Sequence, residues 1–248
     1  MKALLVDLDD TLLDYTGGID QSWQDACATV AGPAGVDIPT LFAAVLEARR
    51  WFWDHPVRQR EGRRDMLGAW TTIAATGLER VAPAAKPLAA AIARDYSDRR
   101  RAAYQLLPGA MPALTELRDG GMPLALITNG DSREQRYKIE RFDLARFFDV
   151  IVIEGEFGAG KPEEAVYRHA LGALGASPAT AWMVGDNLEW DVAAPQRLGL
   201  TGVWIDAPGH GVPAGMSVKP DRVIRRFAEL LEVVPASLSS SRYPPATS

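Results

Sequence analysis

The sequence predicts an α/β protein: a parallel sheet flanked by helices, with an all-helical domain inserted into it. Three observations carry this. Short apolar runs at 3–6, 123–128, 150–153, 181–184 and 202–205 are the strand candidates, and from 108 onward they alternate with stretches of helical periodicity. Strands spaced by helices indicate βαβ units around a parallel sheet. The first run stands apart from the rest, because residues from about 19 to 101 show helical patterns and no convincing strand.

Taken in order, Ala3-Leu4-Leu5-Val6 drives directly into Asp7 and Asp9, with Thr11 close behind. A short apolar run bounded by polar residues reads as a buried strand. The inserted block is expected to hold helices at about 21–31, 39–54, 58–76 and 86–101. Leu41, Val45, Ala48 and Phe52 fall at the spacing of an amphipathic stripe, and Gly32-Pro33, Gly77, Pro83 and Pro87 punctuate the series. Trp51, Phe52 and Trp53 read as core of this block, and Arg58, Arg60, Arg63 and Arg64 as a solvated face. Helices then follow at about 111–119, 133–142, 163–174 and 189–198, each next to a strand. A last helix is expected at 221–234, and the Ser- and Pro-rich stretch 235–248 is expected to be disordered. The domain division is therefore a core of 1–15 and 105–234 around a helical cap of 16–104.

Composition narrows the function classes. An apolar share of 47% and a charged share of 24% suit an ordinary soluble globular protein. A net charge of −5 argues against a nucleic acid polymer or an anionic membrane as partner. Cys27 is the only cysteine, so no intrachain disulfide can form, and a reducing, cytoplasmic setting is expected. Acids at 7, 9 and 10 come too early for a secretory signal. No apolar run nears the ~18 residues of a membrane helix. The oligomeric state stays open.

Polar residues cluster just past the predicted strand ends. They are Asp7, Asp9 and Thr11; Thr128-Asn129-Gly130; Gly160-Lys161-Pro162; and Gly185-Asp186-Asn187 with Asp191. In an open α/β sheet such positions face the ligand crevice. Two acids there repel unless a cation sits between them or one keeps its proton. Together the clusters supply the parts of phosphoryl transfer through a covalent carboxylate. One acid can be the nucleophile. A second can give and then take a proton. Hard oxygens suit Mg2+, and Lys and hydroxyl donors can stabilise the equatorial phosphoryl oxygens.

These motifs, DLDDT at 7–11, Thr128-Asn129, Lys161-Pro162 and GDNLEWD at 185–191, resemble those of the haloacid dehalogenase (HAD) superfamily in their family order. The stretches ITNGDSREQRYKIERFDLARFFDVIV and GKPEEAVYRHAL are most similar to its pyrimidine-nucleotidase and N-acylneuraminate-9-phosphatase branch. The resemblance implies a Rossmann-like core and a phosphatase acting on a small-molecule phosphate ester with Mg2+. It implies that Asp7 attacks phosphorus and binds the metal, and that Asp9 is acid and then base, its backbone carbonyl also on the metal. It implies that Thr128 and Lys161 hold the phosphoryl oxygens, with the backbone around Asn129 helping, and that Asp186 is a metal ligand. Thr11, Asn187 and Asp191 would act behind these, Asp191 by orienting Lys161 or a metal-bound water. A phosphomutase of the same superfamily is the alternative. A dehalogenase is disfavoured by the acid at Asp9, and a non-catalytic binding protein by the full set of reactive positions. Substrate choice is expected to lie in the cap.

Overall fold

The computed structural model describes residues 1–234, so the disorder expected for 235–248 falls outside the described residues. The five apolar runs form five strands of a six-stranded sheet. Its strands are β1 (Ala3–Val6), β2 (Leu124–Thr128), β3 (Val150–Ile153), β4 (Ala181–Gly185), β5 (Thr201–Ile205) and β6 (Arg222–Ile224). The spatial order is β3-β2-β1-β4-β5-β6, and every neighbouring pair is parallel. The winding reverses between β1 and β4, and at such a switch point diverging connections open a crevice at the carboxyl ends of the strands.

Residues group into two compact units. The helical unit, Tyr15–Gln105 with Gly130–Lys138, contains α1 (Ile19–Ala31), α2 (Ile38–Trp53), α3 (Pro56–Arg64), α4 (Met66–Val81) and α5 (Ala89–Ala103). Its core is continuous: Leu41, Val45 and Ala48 of α2 meet Ile73 and Leu78 of α4, with Trp23 and Ile92 alongside. Trp23 stacks on Tyr96 at 3.9 Å between ring centroids, and Trp70 meets Tyr96 edge-on at 5.2 Å. Such pairs add about 0.5–1.5 kcal/mol each beyond burial. Asp37 caps α2 by accepting from Thr40 N at 3.1 Å.

One expectation is corrected here. The single helix at 58–76 is two helices, broken at Asp65, whose carboxylate accepts from Gly68 N at 2.9 Å and so caps α4.

The sheet unit holds β1–β6 together with α6 (Ala110–Asp119), the end of α7 (Ser132–Arg141), α8 (Glu154–Phe157), α9 (Glu164–Ala173), α10 (Ala194–Arg197) and α11 (Leu230–Val233). All four residues of β1 have no exposed surface, as a strand covered on both faces requires. On one face Leu5, Ile127, Val152 and Met183 pack against Tyr167, Ala170 and Leu171 of α9.

The helix expected at 221–234 is the second correction. Arg222–Ile224 instead pairs in parallel with Val203–Ile205, and helix resumes with a 3-10 turn at Phe227–Glu229 that runs into α11. Among the described residues no helix is long and apolar enough to cross a membrane.

Candidate active site

The in-register ladder determines which side chains meet. Val6 lies opposite Leu126 and Val184, and Asp7 N donates to Val184 O at 3.0 Å. The carboxyl ends of these three strands therefore come out at the same edge. β1 delivers Asp7, β2 ends in the buried Thr128, and β4 delivers Asp186. Lys161 enters from the loop between α8 and α9.

The Lys161 ammonium is the centre of the arrangement. It lies 2.5 Å from Asp7 Oδ1 and 2.7 Å from Asp191 Oδ1, and its residue is 2% exposed. Both carboxylates are braced from behind. Thr11 Oγ1 donates to Asp7 Oδ2 at 3.1 Å, and Asn187 N donates to Asp191 Oδ2 at 3.0 Å. Asn187 also caps the next turn, its Oδ1 accepting from Glu189 N and Trp190 N. That turn is a π-helical one, Leu188–Ala193, which carries Asp191 inward. Gly185 leaves it room: a Cβ there would stand 2.3 Å from Asp191 Cγ.

The Asn129 side chain is turned onto the backbone of Lys161. Its Oδ1 accepts from Lys161 N and its Nδ2 donates to Lys161 O, each at 2.7 Å. The side chain thus imitates a strand partner and fixes the Lys161 backbone. Asp9, two residues past Asp7, is half-buried, and its charge is felt at Asp7.

Crowded acids shape the electrostatics. Burial is the largest influence on Asp7 and raises its carboxyl to about 7; Lys161 pulls it down, while Asp191 and Asp9 push it up again. Asp186 is open to solvent at its edge, yet the protein packed around its carboxyl, ahead of repulsion from Asp7, Asp191 and Asp10, raises it to about 8. The two carboxylates flanking Lys161 raise its ammonium further, against the opposing effect of burial. Carboxylate oxygens of Asp7, Asp186 and Asp191 lie within 4.8 Å of one another. Hard oxygen donors with more negative charge than one lysine can balance fit a divalent cation.

Three further contacts had no signal in the motifs. The Tyr167 hydroxyl donates to Trp190 O at 2.5 Å and holds the turn that bears Asp191. Glu154 is a buried acid beside Gly160. Trp204 donates to the backbone of Asp186. Tyr167 and Trp204 lie in apolar stretches, where an aromatic residue reads as core. Only Glu154, an acid directly after an apolar strand, offered a legible cue.

The chain matches a family model described as haloacid dehalogenase-like hydrolase over residues 1–199. It is 34% identical over 229 residues to the phosphoserine phosphatase of Thermus thermophilus, across 83% of this chain and 89% of that protein. Over 128 residues it is 41% identical to the N-acylneuraminate-9-phosphatase of Rattus norvegicus, 51% of this chain and 49% of that protein. Among solved structures, an HAD phosphatase from Thermococcus onnurineus aligns with a TM-score of 0.64 at 28% identity, covering 94% of this chain and 97% of that one.

Proposed function

This chain belongs to the haloacid dehalogenase-like hydrolase family, and from that membership we propose that it is a Mg2+-dependent phosphatase that cleaves a small-molecule phosphomonoester through a phosphorylated Asp7. The observation that carries this reading is the contact of Lys161 with both Asp7 and Asp191, beside Asp186 at the carboxyl edge of the sheet.

The residues divide the work as follows. Lys161, held on the far side by Asp191, favours the ionised, nucleophilic form of Asp7. Thr11 fixes one carboxylate oxygen of Asp7 and so limits the rotation of the attacking group. Asp7 attacks phosphorus as the ester P–O bond breaks, and Asp9 gives its proton to the departing alkoxide. Asp9 then takes a proton from a water whose oxygen attacks the same phosphorus. The bond to Asp7 breaks, phosphate leaves, and both acids are restored. Thr128 and Lys161 donate to the equatorial oxygens throughout. Asp7, Asp186 and the Asp9 carbonyl would hold Mg2+, which would supply further positive charge to the phosphoryl group.

The test is phosphate release from a panel of phosphomonoesters with Mg2+ present. The names of the two relatives put phosphoserine and N-acylneuraminate 9-phosphate first on it. We expect turnover of at least one ester, and a loss on the order of 10^4-fold or more in kcat for Asp7→Asn, with an unchanged circular dichroism spectrum. No release from any ester, or an active Asp7→Asn protein, contradicts the proposal.

A further inference from the structure

Trp204 donates from Nε1 to the backbone oxygen of Asp186 at 2.8 Å. It lies on β5, opposite Gly185 in the β4–β5 ladder, and is 7% exposed. Its ring packs with Leu188 and Val192 from the turn that carries Asp191, and with Val212 and Val218 from the segment after β5. That segment is itself anchored. The Asp206 carboxylate accepts from the backbone of Gly209, His210 and Gly211 at 2.9, 3.1 and 2.8 Å. An indole N–H only donates, and this one reaches the carbonyl oxygen of Asp186 itself, on the Cα that bears the carboxylate side chain.

We infer that Trp204 is a positioning residue for the divalent cation, fixing the Asp186 peptide so that its carboxylate is held ready before the ion arrives. The inference rests on the reading of Asp186 as a metal ligand. Ordering a ligand's backbone at the moment of binding costs conformational entropy, which a preformed hydrogen bond removes in advance. The donor's energy is then expressed in cation affinity, whereas the ring's packing is expressed in fold stability. The two contributions are separable.

The experiment titrates Mg2+ calorimetrically into metal-free wild type and Trp204→Phe. A third protein carries 3-benzothienylalanine at position 204, an indole isostere with sulfur in place of the N–H. Wild type is expected to bind, and both donor-less proteins to bind about fivefold more weakly, the equivalent of about 1 kcal/mol for one hydrogen bond. At saturating Mg2+ their kcat on p-nitrophenyl phosphate is expected to return to the wild-type value. Val218→Ala thins the same cluster but keeps the donor, and is expected to lower Tm while leaving Mg2+ affinity unchanged. Equal affinity in wild type and the donor-less proteins overturns the inference and leaves the Asp186 assignment standing. A loss of affinity in Val218→Ala as large as in Trp204→Phe also overturns it, because packing would then be the cause. Failure of wild type to bind Mg2+ removes the metal reading itself.

Discussion

Lys161 and Asp191 form a buried pair, 2% and 0% exposed, whose geometry depends on the smallest residue nearby. Removing one partner of such a pair strands the other charge in a medium that solvates it poorly. Moving a partner by an ångström has a milder version of the same effect. Gly185→Ala tests this, because its Cβ would meet Asp191 Cγ at 2.3 Å. We expect a loss of about 1–3 kcal/mol in stability, as overpacking costs, and a fall in kcat as Asp191 shifts away from Lys161. A thermal melt and steady-state kinetics on the same preparation check both, and wild-type values for both would contradict the geometry. At this scale the sequence was informative wherever chemistry requires a polar residue after an apolar run, as at Asp7, Thr128 and Asp186. It was silent on the side-chain clamp of Asn129, because an amide reads the same whether it binds a ligand or its own backbone.

The segment from 221 to 234 shows how an element can be misread. Apolar residues at 223, 224, 227, 230 and 231 fit helical spacing, yet the open edge of β5 recruits Arg222–Ile224 as a sixth strand. Local periodicity does not reveal an unpaired sheet edge, and pairing to a neighbour overrides it. The break between α3 and α4 was missed, although Asp65 directly precedes an apolar run, as an N-cap does. The turn after β5 yields a pH prediction. Burial raises the Asp206 carboxyl, but the backbone donors of Gly211, His210 and Gly209, with the charge of Arg225, outweigh that and hold it below the usual 3.8. A carboxylate with a depressed native pKa contributes stability above its unfolded value and loses it as the pH falls through the native one. Asp206→Ala is therefore expected to lower Tm at pH 7, by a margin that shrinks below pH 4. Thermal melts across that range check it, and a pH-independent gap would contradict the carboxylate's role.

Across the whole molecule, alternating strands and helices after 108 announced the parallel sheet, and the expected lack of strands from 19 to 101 is observed. The grouping of Gly130–Lys138 with the helical unit was not legible, because it depends on tertiary packing and not on any break in pattern. The same scale connects metal to stability. Asp7 and Asp186 are both raised, by burial first and by neighbouring acids after it, so a cation that binds only the native state should stabilise it. At about 100 times its Kd, Mg2+ is expected to add about 2.7 kcal/mol by mass action. EDTA should reverse the rise in Tm and stop phosphate release together; a Tm indifferent to Mg2+ would contradict the site. The most direct measurement concerns the carboxylate at position 7. During turnover of a phosphomonoester, borohydride quenching reduces an acyl phosphate to an alcohol, and peptide mass spectrometry locates the change. We expect homoserine in place of Asp7, formed only when ester and Mg2+ are both present. Continued turnover with an unmodified Asp7 under the same quench would contradict the covalent route.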